Sequence, residues 1–390
     1  MKKAILLLLC GSLALYACHT DPVPEAPSKD SALTGTKVDV AGIPSGIRKI
    51  FVLNEGGMGA NNATLDFLRV SDGNYITGAF KKMNPTEGAG LGDVGNDIVV
   101  IGDEVWIVVN NSGIVEVLSA KDETEIAAIT IPTPRNIAFD EHYAYVTSWA
   151  GAFAQYTYDD KGGVTLTDFK NPKGQVYRIN LETKKIDGQV EVGWQPEGIA
   201  CYNGRLYVAN SGGIACSLPP DYAYDKTVSV IDVKSFKVTK TLEVEINLKS
   251  VCSDNAGNIY VTTFGNFATI HSGLYMIDTR NGDAVKKIGD YVSAMTIFGQ
   301  TVFCIGNENE LDWSAPRVYK GWSCTKGVKG TFSLPVNSAN LYGIIALDAD
   351  TFLTGDAGDY FNPGSVTLYH KGSISWTVPS GVCPGHFAIW

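Results

Sequence analysis

The last strand of this sequence reads as though it belonged before the first. Pro384-Gly385-His386-Phe387-Ala388-Ile389 resembles Pro196-Glu197-Gly198-Ile199-Ala200, which opens an internal repeat, whereas Ile50-Phe51-Val52-Leu53-Asn54 resembles that repeat's second strand. A chain whose end supplies the strand its beginning lacks closes a ring, and closure leaves neither end as an open sheet edge.

The clearest unit comprises Gly198-Ile199-Ala200, the turn Tyr202-Asn203-Gly204, Leu206 to Asn210, a loop, Val228 to Asp232, and Val238 to Leu242. These are four short strands joined by turns. Related second strands begin at Phe51, Trp106, Tyr145, Tyr260, Val302 and Phe352, so with Tyr207 there are seven units. Four strands recurring every ~40 to 60 residues predict an all-β, seven-bladed β-propeller, closed by the C-terminal strand pairing into the N-terminal blade. Short Asp-rich turns, such as Asp232-Val233-Lys234-Ser235, join third and fourth strands and read as structural.

With 390 residues, 45% hydrophobic content and 42 glycines, the chain can bury one large core. Met1-Lys2-Lys3 and the apolar run Ala4 to Leu9 form a short export signal over residues 1–17. Leu15-Tyr16-Ala17-Cys18 resembles the lipobox of bacterial lipoproteins, making Cys18 the lipidated residue and the membrane anchor. Each buried acyl methylene contributes about 0.8 kcal/mol, so several chains on one cysteine hold firmly. Residues 18–46, with Pro22, Pro24 and Pro27, read as a flexible tether ahead of a propeller over 47–390. The expected location is the outer membrane, facing outward.

Beyond the signal and Cys18 the cysteines show no zinc spacing, and Cys201, Cys252 and Cys304 lie in apolar strands as small core residues. Cys304 and Cys324 are a candidate bridge across a hairpin. A formal charge of −10 argues against nucleic acid and favours a neutral or cationic ligand.

In a four-stranded blade the loop after strand two and the connection to the next blade emerge at one end. Here those loops are long, and they carry the candidate ligand-binding residues Asn54, Asn110, Asn111, Trp149, Phe153, Trp194, Asn210, Tyr222, Phe264, Phe267, Asn307, Trp313, Asn337 and Tyr360. Aromatic rings supply rigid contact area and amides both donate and accept, a mixture suited to a bulky ligand with flat apolar surface and neutral polar arms. Packing of loops against neighbouring blades is the competing reading for any one of them. Catalytic spacing is absent, and no catalytic cofactor is expected. His271 and His386 are kept as candidate partners near the binding end, and Asp93, Asp97, Glu197 and Glu308 as the weaker possibility of a metal-lined centre.

The Cys18 lipobox, the opening Phe51-Val52-Leu53-Asn54-Glu55-Gly56-Gly57, the following Ala63-Thr64-Leu65-Asp66-Phe67 and the Tyr207-Val208-Ala209-Asn210 type of strand together resemble YVTN-type surface propeller lipoproteins of Bacteroides. Length and layout are similar to the cobalamin-binding members. That resemblance implies a non-enzymatic protein whose bound ligand is cobalamin or cobinamide and whose partner is an outer-membrane TonB-dependent vitamin B12 transporter. Surface glycan or protein adhesion is the alternative, with a metal-dependent hydrolase behind it.

Overall fold

A computed structural model describes residues 29–86, 90–151, 172–213, 223–312, 314–336 and 338–390, together with the backbone of the strand pair Tyr156–Tyr158 and Val164–Leu166. Its architecture is all-β, with seven antiparallel sheets arranged as the blades of a propeller. Blade 1 runs outward from Pro384–Ile389 through Lys49–Asn54, Thr64–Arg69 and Asn74–Ile76 to Thr36–Lys37. The inner strands of blades 2 to 7 are Gly95–Ile101, Pro134–Phe139, Pro196–Tyr202, Leu248–Ser253, Ala294–Phe298 and Leu341–Ala346. Each is followed outward by three strands in sequence order.

Closure occurs where the sequence places it. Ile50 pairs with Ile389 and Leu53 with His386, so the C-terminal strand is the inner strand of blade 1. One position repeats around the ring: an aromatic residue stands third in the second strands of blades 1 to 6, as Phe51, Trp106, Tyr145, Tyr207, Tyr260 and Phe303, and second in that of blade 7, as Phe352, and every one is buried. Burying such a ring contributes about 1.5–3 kcal/mol. These rings enter apolar clusters that each join two adjacent blades, such as Trp106 with Val146 or Phe303 with Phe352. The core is therefore a set of seams between blades.

Residues 29–46, expected within the flexible tether, instead lie against the propeller. Asp30 is fully buried, with one carboxylate oxygen 2.9 Å from Lys49 Nζ and 3.6 Å from Arg69 Nη1. Thr36 and Lys37 add a fifth strand to blade 1, and Trp376 Nε1 of blade 7 donates to the Asp39 carbonyl at 2.7 Å. A polar segment too poor in apolar residues to form its own core is held by another sheet's edge. Residues 18–28 of the expected tether and Cys18 lie outside the described residues. Cys304 and Cys324 are both free thiols on neighbouring strands, offset by two positions, so the expected bridge is absent.

Candidate functional site

The inner strands begin at one end of the propeller axis, and six of the seven contain an extra residue close to that end. The irregularities fall at Pro384–His386, Gly95–Asp97, Pro134–Ile137, Pro196–Ile199, Leu248–Val251 and Leu341–Gly343. Blade 6 alone pairs Ala294 to Phe298 without a shift. Such bulges re-aim side chains. The residue just before the inner strand is left-handed at Val94, Thr133, Gln195, Asn247 and Cys383, with φ between 40° and 64°. For Val and Thr this conformation is uncommon, and among the described β-branched residues it occurs only at the mouth of the axis.

Beside these starts the second positions of the inner strands of blades 3, 4, 5 and 7 supply Arg135, Glu197, Lys249 and Tyr342. Arg135 Nε donates to both Glu197 oxygens at 3.0 and 3.2 Å, and its Nη2 donates to Oε2 at 2.9 Å. Trp149 Nε1 donates to the same carboxylate at 3.1 Å, and its ring lies 4.5 Å beneath the Arg135 guanidinium. Tyr342 donates its phenolic proton to Glu55, which follows the second strand of blade 1. Lys249 Nζ donates to the Ser293 carbonyl at 2.9 Å and sits 4.8 Å from the Phe264 ring, with no carboxylate within 4.0 Å among the described residues. The site is thus one satisfied ion pair beside a cation held by a carbonyl and a π face.

Burial dominates the protonation of this group. It pushes the Glu55 and Glu197 carboxyls above their usual range, opposed at Glu55 by the Tyr342 hydrogen bond and at Glu197 by Arg135. Asp97 is raised to about 6 by burial, against the backbone N–H of Ile137 and the Asn136 amide. Lys249 is lowered by burial and supported by Glu55 and Glu197. His386 falls to about 3 because it is buried and faces the cations of Lys249 and Arg135. Its imidazole is neutral at pH 7 and makes no hydrogen bond among the described residues.

A cavity of about 210 Å³ opens beside Lys249 and His386, between the inner strands of blades 5 and 6 and reaching blades 7 and 1. These two strands approach each other least of any neighbouring inner pair. Elsewhere the inner strands touch closely: a Cβ on Gly198 would stand 2.5 Å from Val251 N, and one on Gly343 2.1 Å from the Gly385 carbonyl oxygen.

The expected asparagines prove to be braces beneath the mouth. Asn54, Asn110 and Asn210 are fully buried and Asn307 nearly so. Asn54 Nδ2 donates to Thr64 and its Oδ1 accepts from Ser380; Asn110 Nδ2 donates to the Pro134 carbonyl; Asn210 Nδ2 donates to Thr227 and Ser229; Asn307 Oδ1 accepts the Val318 N–H. With Ser148, Thr263 and Asp356 at corresponding places, they tie loop to strand and offer a ligand no surface. Asn111 is exposed, and its amide donates to Asp93 at 2.5 Å.

Of the aromatics, Trp149 lies in the charged network, Phe264 and Phe267 pair at 5.8 Å beside Lys249, and Tyr360 packs on Tyr342 at 5.9 Å while 39% exposed. Trp194 is half-buried with Lys173 Nζ 5.5 Å from its ring. Phe153, Tyr222, Trp313 and Asn337 lie outside the described residues. His271 is braced by Glu310 at 3.2 Å and the Tyr291 ring. Asp93, Asp97, Glu197 and Glu308 do not converge: Asp93 accepts from Gly59 and Asn111, whereas Glu308 is exposed and paired with Lys320. Among the described residues no group of three or more His, Cys, Asp and Glu could hold a metal ion. Sequence reasoning missed Arg135, Lys249, Tyr342 and Glu55; the available signal for the first three was a long polar residue at the second position of the inner strands of blades 3, 4, 5 and 7.

A family model described as a domain of unknown function (DUF5074) matches residues 48–351. None of the curated proteins matches. Among solved structures, a quinonprotein alcohol dehydrogenase-like protein of Bacteroides thetaiotaomicron is similar with TM-score 0.58 and 12% identity, over 88% of this chain and 78% of that one. Hydrazine synthase of Kuenenia stuttgartiensis is similar with TM-score 0.55 and 16% identity, over 75% of this chain and 88% of that one. At such identities the likeness speaks for the fold alone.

Proposed function

The chain belongs to the DUF5074 family, and from that premise we propose that it is a non-enzymatic capture protein whose ligand is a corrinoid, cobalamin or cobinamide. The observation that carries this reading is the mouth itself: a charged centre of Glu55, Arg135, Glu197 and Lys249 flanked by Trp149, Phe264, Phe267, Tyr342 and Tyr360. A cavity of about 210 Å³ is too small to enclose a macrocycle. A corrinoid would lie across the rim, its flat faces against rings and its amide arms meeting both donors and acceptors. Trp149, Trp194, Phe264, Phe267, Tyr360 and Asn111 remain as its contacts. Association costs about 4–15 kcal/mol of rigid-body freedom, which favours a preformed surface shared by several blades.

In this reading Cys18 carries the lipid anchor in the outer membrane, and the captured corrinoid passes to a TonB-dependent transporter. Titrating the purified chain with cobinamide and cyanocobalamin, followed by calorimetry and visible absorbance, tests the ligand. Saturable one-to-one binding, weakened about tenfold or more when Phe264 and Phe267 are replaced together by alanine, is the expected result. Absence of binding at micromolar corrinoid would overturn the proposal and transfer the rim to glycan or protein adhesion.

A further inference from the structure

The cavity between blades 5 and 6 has a character of its own. Its lining includes Lys249, which has no carboxylate within 4.0 Å among the described residues, and His386, whose ring makes no hydrogen bond among them, together with the apolar Met295, Ile344 and Phe387. Asp97 also borders the space, but its oxygens are already engaged: Oδ1 accepts the Ile98 N–H, and Oδ2 accepts from the Ile137 N–H and the Asn136 amide. The cavity therefore holds a cation whose supporting carboxylates, Glu55 and Glu197, lie beyond 4.0 Å, together with an imidazole that makes no hydrogen bond among the described residues and the apolar side chains of Met295, Ile344 and Phe387. A half-buried ammonium with no carboxylate in contact keeps part of its desolvation cost, and an anion arriving beside it relieves that part.

We propose that this cavity binds a short aliphatic monocarboxylate, its carboxylate pairing with Lys249 and accepting a hydrogen bond from His386 while its chain covers Met295, Ile344 and Phe387. Phosphate would satisfy the cation and leave the apolar wall bare, whereas an amine of the same shape would face the ammonium with like charge. A volume of about 210 Å³ is below that of a drug-sized pocket and suits a ligand of about ten heavy atoms or fewer. The cavity shares Lys249 and Tyr342 with the charged mouth of the corrinoid reading but is lined by none of the side chains assigned there as corrinoid contacts.

The test is calorimetric titration of the full chain with sodium propionate, propionamide, propylamine and inorganic phosphate, each alone and without corrinoid. Propionate should bind saturably, with propionamide and phosphate weaker by about tenfold or more and propylamine weaker still. Lys249→Gln should weaken propionate by a similar factor while leaving the far-ultraviolet circular dichroism unchanged. Absence of saturable propionate binding up to roughly 10 mM, or equal binding of propionate and propylamine, would overturn the proposal whether or not the variant folds. Neither result depends on whether the rim takes a corrinoid.

Discussion

Between blades 4 and 5 the inner strands meet backbone to backbone, whereas between blades 5 and 6 they stand apart around the cavity. At the third position of its inner strand blade 4 has Gly198, where even a methyl group would lie 2.5 Å from Val251 N and 2.7 Å from the Lys249 carbonyl oxygen. Blade 5 has Ser250 there, lining the space. Across the open junction Lys249 donates to the Ser293 carbonyl, supported by the sulfur contact of Cys252 and Met295 at 3.8 Å. Blade 6 also lacks the bulge that its six counterparts share. A ring of similar units thus makes a local site by relaxing one junction while its neighbours stay closed.

The sharpest way to break this comparison is to remove one cation from each kind of junction. Arg135 and Glu197 lock blades 3 and 4, with side-chain exposures of 10% and 6%. Arg135→Met leaves a buried carboxylate unmatched and should cost about 3–5 kcal/mol, read from the midpoint of urea unfolding. Lys249→Met removes a cation that has no such partner and should change stability by less than about 1 kcal/mol. Equal losses would mean that both junctions depend on charge alike. A smaller effect is expected from size: Gly198→Ala should cost about 1–3 kcal/mol because the clash is with backbone, while Ser250→Ala should stay within about 0.5 kcal/mol. If the serine change proves as costly, the cavity is not the slack region described.

The closing strand and the seven second strands were legible because each rests on strand periodicity, which a repeat displays seven times. Buried amides were harder. Asn54, Asn110, Asn210 and Asn307 look like surface chemistry when each loop is considered alone, yet their recurrence at the ends of the second strands of blades 1, 2, 4 and 6 is the mark of a brace. The mouth was hidden for a different reason. A bulge changes where Arg135, Glu197 and Lys249 point without changing which residues they are, so strict alternation misassigns them. Residues 29–46 escaped because their stability is borrowed: Asp30 is buried by Lys49 and Arg69, which are far along the chain.

The finest comparison sets Asp97 against His386, two groups bordering the same cavity whose protonation pulls stability in opposite directions. Folding raises Asp97 from 3.8 to about 6, so its contribution is full below pH 3.8 and is lost as pH rises toward 6. Folding lowers His386 from 6.5 to about 3, so its contribution is full above pH 6.5 and is lost as pH falls toward 3. Between pH 4 and 6 the two slopes oppose each other. Relative to the parent chain, Asp97→Asn should make stability rise more steeply with pH over that window, because the histidine contribution is no longer offset. His386→Gln should tilt the curve the other way, leaving the carboxyl to favour the acidic side. Urea midpoints collected at half-unit intervals from pH 4 to 6.5 separate these outcomes, and parallel curves for the two variants would show that neither group titrates against the cavity as its burial requires.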